Sequence, residues 1–391
     1  MLIPMAIRVN PRLIEDLNRF GAADVQMCYH CGDCSAVCVH ADDLFRFPRK
    51  SMRQLQMGLE KRLETALEPW LCYYCGQCSD QCPREANPGE TMMSLRRWLI
   101  NRYDKTGIAG KFFRSLKTEL WTIIVVSLLT CFAALGYHLF KGSIYVYNGP
   151  DAFLPAGLVH KFDLALGSLL GFVLIINAFN MWNLSMKPGD DVSIPWWLYL
   201  KSVLLLPFHF FTQKRYAECS TTGKSKLFMP WMVHLGLMWG YVTMLVLVMV
   251  FLPFLQSGPE IFWPAHIFGY IASIGLLIGV YYFIRSRLVR KYVQYHKSHS
   301  TDWVFVVLLA LITFTGITQH LFHRTGMTVA ANVTYLLHLM CVVPWLVRMP
   351  FTKWAHLMYR PLAMYFAAVR RNAYALKENK QHIFFRVVQT V

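Results

Sequence analysis

Eight of the eleven cysteines fall in two short runs of the same spacing. Cys28, Cys31, Cys34 and Cys38 read C-x2-C-x2-C-x3-C, and Cys72, Cys75, Cys78 and Cys82 repeat it, with Pro83 following. Three thiolates at that interval can wrap one cuboidal iron–sulfur cluster, while the fourth points away and ligates the cluster of the other run. The spacing therefore predicts two [4Fe-4S] clusters with crossed ligation. Cys28, Cys31, Cys34 and Cys82 hold one, and Cys72, Cys75, Cys78 and Cys38 hold the second. Zinc is the competing use of such residues, but zinc ribbons set their cysteines in separated C-x-x-C pairs and do not need four thiolates within eleven residues.

Thirty-three residues separate Cys38 from Cys72. The part from Met52 to Ala66 (MRQLQMGLEKRLETA) is rich in helix formers, which predicts an α-helical ferredoxin. Val39 stands where bacterial ferredoxin runs place proline, a departure that leaves the ligands untouched. Cys131, Cys219 and Cys341 have no ligand spacing and read as small apolar packing residues.

Beyond Trp121 the chain changes character. Hydrophobic residues make up 55% of the whole and charged residues only 16%, against roughly 25% charged in a soluble domain. Apolar runs at 120–140, 160–182, 229–253, 262–284, 302–323 and 329–358 are each long enough to cross a hydrocarbon core of ~30 Å. The stretch 194–212 is apolar too, but Lys201 and Pro207 within it favour an interfacial amphipathic helix.

Charge fixes the count at six spans. The net charge is +17, and with six spans the basic residues of 187–226, 285–297 and 348–386 all fall on one side, leaving only Lys141, Lys161 and Arg324 on the other. By the positive-inside rule that side is the cytoplasm. The N-terminal stretch, with Arg8, Arg12, Glu15, Asp16 and Arg19, has no signal-peptide core, so the cysteine domain is expected to share that side. Such a reducing compartment suits ligand cysteines rather than disulfides. The positive charge needs no nucleic-acid partner, because no basic stripe or RNA-binding motif accompanies it.

The expected architecture is all-α. A cytoplasmic ferredoxin domain spans 1–118, a transmembrane bundle 119–358, and a cytoplasmic basic tail 359–391.

Histidines inside the spans carry the next expectation, since an ionisable residue at membrane depth usually serves a site. His338 and His356 are 18 residues apart, which on an unbroken helix is five turns, one face and ~27 Å. That separation suits two haems stacked across a bilayer, provided Pro344 and Pro350 do not spoil the phase. His234 lies at a depth close to that of His356, and the two read as axial ligands of an inner haem b. An outer haem would use His338 with His266, or with Met244. His266, His320 and His323 fall near the outer ends of their spans and are candidates for a quinone pocket. Arg348 could meet a haem propionate or extend to the cytoplasmic surface. Gly236 and Gly240, like Gly167 and Gly171, read as helix-packing positions.

With these residues in view, the cysteine domain resembles the C-type subunit of heterodisulfide reductase. The bundle from about residue 160 resembles the E-type subunit of the same enzyme family and the nitrate reductase gamma subunit, a dihaem cytochrome b. The H-x-G element at His234-Leu235-Gly236 and the pair His338 and His356 carry the second resemblance. Where the gamma family has a second histidine ten residues after the first, this chain has Met244. The fusion of both parts is similar to the membrane subunits of quinone-interacting membrane-bound oxidoreductases of sulfate reducers.

That resemblance implies menaquinol as electron donor, flavin and iron–sulfur partner subunits related to the A-type subunit of heterodisulfide reductase, and adenylylsulfate reductase as eventual acceptor. Two alternatives stand beside it: exchange with methanophenazine or another quinone-like carrier, and a redox-sensing membrane anchor. A self-sufficient reductase lacks support, as no G-x-G-x-x-G nucleotide fingerprint is present.

Overall fold

The computed structural model describes residues 8–22, 24–141, 153–187, 192–219, 230–256 and 263–377. Lys224, Lys226 and the tail from residue 378, which entered the charge count, lie outside them. Among the described residues all regular structure is helical and no strand occurs.

Six helices are long and apolar enough to cross a membrane: Leu116–Phe140, Ala156–Ser185, Pro230–Phe251, Pro264–Val289, Ser300–Arg324 and Thr328–Val347. They are called the first to sixth spans below. Their outward faces carry bare apolar side chains such as Leu129, Phe132, Leu169 and Phe172, which lipid rather than water would cover. The stretch 194–212 is not a span. It forms two short helices, Trp196–Ser202 and Leu205–Thr212, and Gln213, at a φ of 46°, turns the chain into a third, Lys214–Cys219.

Glycine sets how closely the third and fourth spans approach. A Cβ on Gly240 would lie 2.7 Å from the Ala272 carbonyl oxygen, and one on Gly275 would lie 2.9 Å from that of Gly236. Gly240 is thus a packing position, and Gly236 contributes through its backbone, since a Cβ of its own would meet nothing within 4 Å. A Cβ on Gly167 would come 3.1 Å from the methyl carbon of Met249, whereas Gly171 faces open space.

Two expectations need correction. The sixth span does not run unbroken to residue 358. It ends at Val347, two 3-10 turns follow at Met349–Phe351 and Lys353–Ala355, and a new helix begins at His356. Pro350 removes a backbone donor and pushes Met349 away from α geometry, so the helix cannot continue there. His338 and His356 therefore sit on different helices, and their shared-face argument fails.

The stretch 359–377 of the expected tail is helical, continuing the helix that starts at His356. Its Tyr359, Ala363, Phe366 and Ala367 pack into the core of the cysteine domain, beside Leu17, Phe45, Trp70 and Trp98. Trp70, Tyr103 and Tyr359 pack as a trio with ring centroids 5.2–6.2 Å apart, and the Trp70 indole N–H donates to the Tyr103 hydroxyl at 3.1 Å. Head and bundle thus share one core.

The sequence helix from Met52 to Ala66 is split into Arg49–Gln56 and Glu60–Glu64. Gly58 turns between them at a φ of 66°, where a Cβ would come within 2.4 Å of the Asn10 carbonyl oxygen.

Candidate functional site

The two cysteine runs fold into matching loops. Each reads C-Y-x-C-G, and each places the residue before the second cysteine and the glycine after it in the left-handed region: His30 at 65° and Gly32 at 102°, Tyr74 at 56° and Gly76 at 89°. Glycine adopts this freely, but His30 and Tyr74 hold it at a cost. The reward is a backbone that curls around a point, then enters a one-turn helix, Asp33–Ala36 or Gln77–Asp80, carrying the third cysteine.

Cys28, Cys31, Cys34 and Cys82 line one cavity, with Arg49 and Arg84 at its edge. Burial, and then the neighbouring thiols Cys28, Cys31 and Cys82, push Cys34 up to about 11. Cys38 belongs to the other group. Burial raises it to about 11 as well, and the thiols acting on it are Cys72 and Cys75. Burial likewise raises Cys78, with Cys72, Cys75 and Cys38 as its nearest thiol influences. Thiols that oppose one another's ionisation in this way need a cationic occupant to become thiolates, and iron supplies that charge. Among the described residues no three His, Cys, Asp or Glu side chains close on a single-ion site; a cuboidal cluster instead spreads four ligands over four irons.

Sequence reasoning missed what surrounds the second group. The Cys72 sulfur accepts from the Tyr74 backbone N–H at 3.3 Å. Its carbonyl oxygen accepts from Arg96 and, at 3.1 Å, from Arg360, whose guanidinium lies 3.7 Å from the centre of the Tyr73 ring. Cys219, read from sequence as packing only, is buried and hydrogen-bonds to Cys75, holding that thiol below its ordinary range.

Arg360 stands one helical turn from His356. The His356 ring faces that of His234 with centroids 6.2 Å apart and planes at 62°. His234 donates from Nδ1 to the Gln213 side-chain oxygen at 2.8 Å, and His356 donates from Nδ1 to the Lys353 carbonyl oxygen. Both acceptors are oxygens without a proton, so Nδ1 carries the hydrogen in each ring, and in the neutral form Nε2 is the nitrogen with the free lone pair. Two metal–imidazole bonds of ~2 Å plus half of each ring span about 6 Å, so the pair fits axial ligation of one haem iron. Tyr216 links this pair to the clusters: its ring lies 5.6 Å from that of His234 and stacks 5.5 Å from that of Tyr73.

Between the spans is a cavity of about 1010 Å³ that runs from Tyr137 and His323 at one end of the bundle to Met349 and Trp354 at the end near the head. His338, His266, His320, His323 and Met244 all line it. His266 and His320 rings are 5.7 Å apart, and the Tyr270 hydroxyl, absent from the sequence expectations, is 3.0 Å from His320 Nε2. Thr315 gives its hydroxyl proton to the Leu311 carbonyl at 2.7 Å, so its oxygen accepts from His338 Nδ1 at 3.0 Å and leaves Nε2 bare. Gly316 makes room for that ring, since a Cβ there would come 3.1 Å from His338 Cε1. Arg348 does not reach out to a propionate or the surface. It is buried in an ion pair with Glu119 of the first span.

Comparison with known proteins bears on the head. A 4Fe-4S dicluster domain family matches residues 24–86, which contain both cysteine runs. The chain is 32% identical over 106 residues to a protein of Archaeoglobus profundus that is named for its likeness to the C-type subunit of heterodisulfide reductase. That alignment covers 27% of this chain and 56% of the relative, so the chain spans about half the length of the curated relative it matches. No solved structure matches. The head is an iron–sulfur domain related to that protein, joined to a multi-pass helical bundle, an arrangement that fits a membrane electron-transfer subunit.

Proposed function

We propose that this chain passes electrons between menaquinol in the membrane and cytoplasmic flavin and iron–sulfur subunits similar to the A-type subunit of heterodisulfide reductase. Adenylylsulfate reductase is the eventual acceptor, as in the quinone-interacting oxidoreductases that the fused layout resembles. The head and the chain's basic loops face the cytoplasm.

The observation that carries this reading is the facing histidine pair, His234 and His356, of which His356 stands one helical turn from the contact between Arg360 and Cys72. Gln213 and the Lys353 carbonyl keep both imidazoles in the tautomer that presents Nε2 to iron. Cys28, Cys31, Cys34 and Cys82 hold one cluster, and Cys72, Cys75, Cys78 and Cys38 the other. In the cavity, His338 would hold a second haem together with His266 or with Met244, both of which line it. The volume lies at the upper end of the roughly 300–1,000 Å³ of ordinary small-molecule sites. When bound, haem and clusters carry single electrons, which a two-electron quinol must surrender one at a time.

The test is iron, sulfide and haem analysis of the purified chain, with spectra recorded after adding a menaquinol analogue. Iron for two [4Fe-4S] clusters and haem reducible by the analogue are expected. His234→Ala and His356→Ala should each abolish the inner haem while keeping the iron. A chain that binds no haem would overturn the cytochrome reading, and haem and clusters that quinol leaves oxidised would favour a sensor.

A further inference from the structure

The intramembrane cavity contains a group that the quinol reading has not used. Asp163, on the second span, is the one carboxylate among the described residues lining it. A carboxylate at membrane depth is costly to keep and marks a site by default. Its electrostatic partner is His160, one turn nearer the outer end on the same helix face. The His160 Nδ1 atom is shielded from solvent and has no hydrogen-bond partner. Across the same cavity stand Tyr270 and His320, joined by their 3.0 Å hydrogen bond.

Oxidising a quinol to a quinone breaks two O–H bonds, forms two C=O bonds, and releases two electrons and two protons. The electrons leave singly to one-electron iron acceptors. The protons need two bases, because one base on one side leaves the second hydroxyl with no acceptor. With the Tyr270 hydroxyl donating to His320 Nε2 across their 3.0 Å contact, a quinol hydroxyl on that side would hand its proton to Tyr270 as Tyr270 hands its own to His320. For the second hydroxyl, Asp163 offers the one carboxylate among the described residues that line the cavity.

We propose that Asp163 accepts this second proton and that His160 conducts it to the outer surface. The pair is a catalytic and proton-exit site for a para-dihydroxy aromatic donor, and the proposal rests on the quinol reading of the cavity. Both protons would then leave on the face opposite the head while the electrons move toward it. Turnover would therefore separate charge across the membrane.

The experiment uses the full chain in detergent and in proteoliposomes, with a menaquinol analogue as probe. Asp163→Asn should bind the oxidised analogue with wild-type affinity and show dithionite-reduced haem and cluster spectra like the wild type. Its quinol-driven haem reduction should slow at least tenfold. Asp163→Glu should restore much of the rate. The infrared difference spectrum on quinol addition should contain a carboxylic-acid band in the wild type that vanishes in Asp163→Asn. His160→Ala should slow proton appearance at the outer face while leaving analogue affinity unchanged. A wild-type rate and an unchanged infrared band in Asp163→Asn would overturn the proposal while leaving the quinol reading intact. Failure of the wild type to bind the analogue would instead remove the quinol reading, and the proposal with it.

Discussion

Arg360 donates a 3.1 Å hydrogen bond to the carbonyl oxygen of Cys72, and one turn earlier on the same helix stands His356. A single rigid element therefore ties the histidine pair to one of the cysteine groups. A guanidinium beside an anionic cluster stabilises its reduced form, because the added electron sits nearer a positive charge. Arg360→Ala should lower the reduction potential of the cluster held by Cys72 and leave that of the other cluster unchanged. Arg360→Lys should fall between them, since it keeps the charge and loses the planar contact with Tyr73. A potentiometric titration followed by electron paramagnetic resonance measures this. Equal shifts in both clusters would contradict the assignment.

The buried pair of Arg348 and Glu119 pins the end of the sixth span to the start of the first. Removing one partner strands a buried charge, so Arg348→Ala should cost about 3–5 kcal/mol. Replacing both by Met and Leu should recover most of that loss, because two apolar groups leave nothing unpaired. Chemical denaturation of the detergent-solubilised protein would measure both.

His299 caps the helix of the fifth span by accepting from the Thr301 backbone N–H at 3.3 Å, which needs a neutral ring. Burial first, and then Arg97 and Lys353, push it down to about 4, although Asp302 and a backbone hydrogen bond at Phe113 act the other way. Its folded value lies below the unfolded value of about 6.5. The contribution to stability is therefore full above about pH 6.5 and is lost as the pH falls toward about 4. His299→Asn keeps a capping oxygen that does not titrate, so it should flatten this part of the profile. Thermal unfolding at pH 7.5 and pH 5 would record the difference.

Gly240→Ala should destabilise the bundle by about 1–3 kcal/mol, because its Cβ would meet backbone, which cannot turn aside. Gly171→Ala, facing open space, should change stability little. Unequal loss of haem absorbance on heating the two variants would follow if the third span carries an axial ligand.

What the sequence made legible follows from where its constraints are local. The cysteine spacing reflects ligand chemistry within eleven residues, and each span declares itself by about 20 apolar residues in a row. The break after Val347 was harder to read, since the 18-residue interval and two prolines argued opposite ways and only packing decided between them. Gln213, Tyr216, Cys219 and Arg360 act on groups far away in the chain, and nothing in their immediate neighbours announces that. Arg348 suggests a propionate or the surface for the same reason: its partner Glu119 lies at the other end of the bundle sequence. Residues 359–377 are basic enough to read as a tail, yet Tyr359, Ala363 and Ala367 recur at helical spacing and bury one face.

The most direct test of the account is whether quinol electrons reach the clusters through the His234 and His356 pair. Rapid mixing with a menaquinol analogue, followed by freeze-quench electron paramagnetic resonance, reads cluster reduction in the wild type and in His356→Ala. The account predicts rapid cluster reduction in the wild type, and clusters that are intact but stay oxidised in the variant. Cluster reduction at the wild-type rate in a variant lacking the inner haem would contradict it.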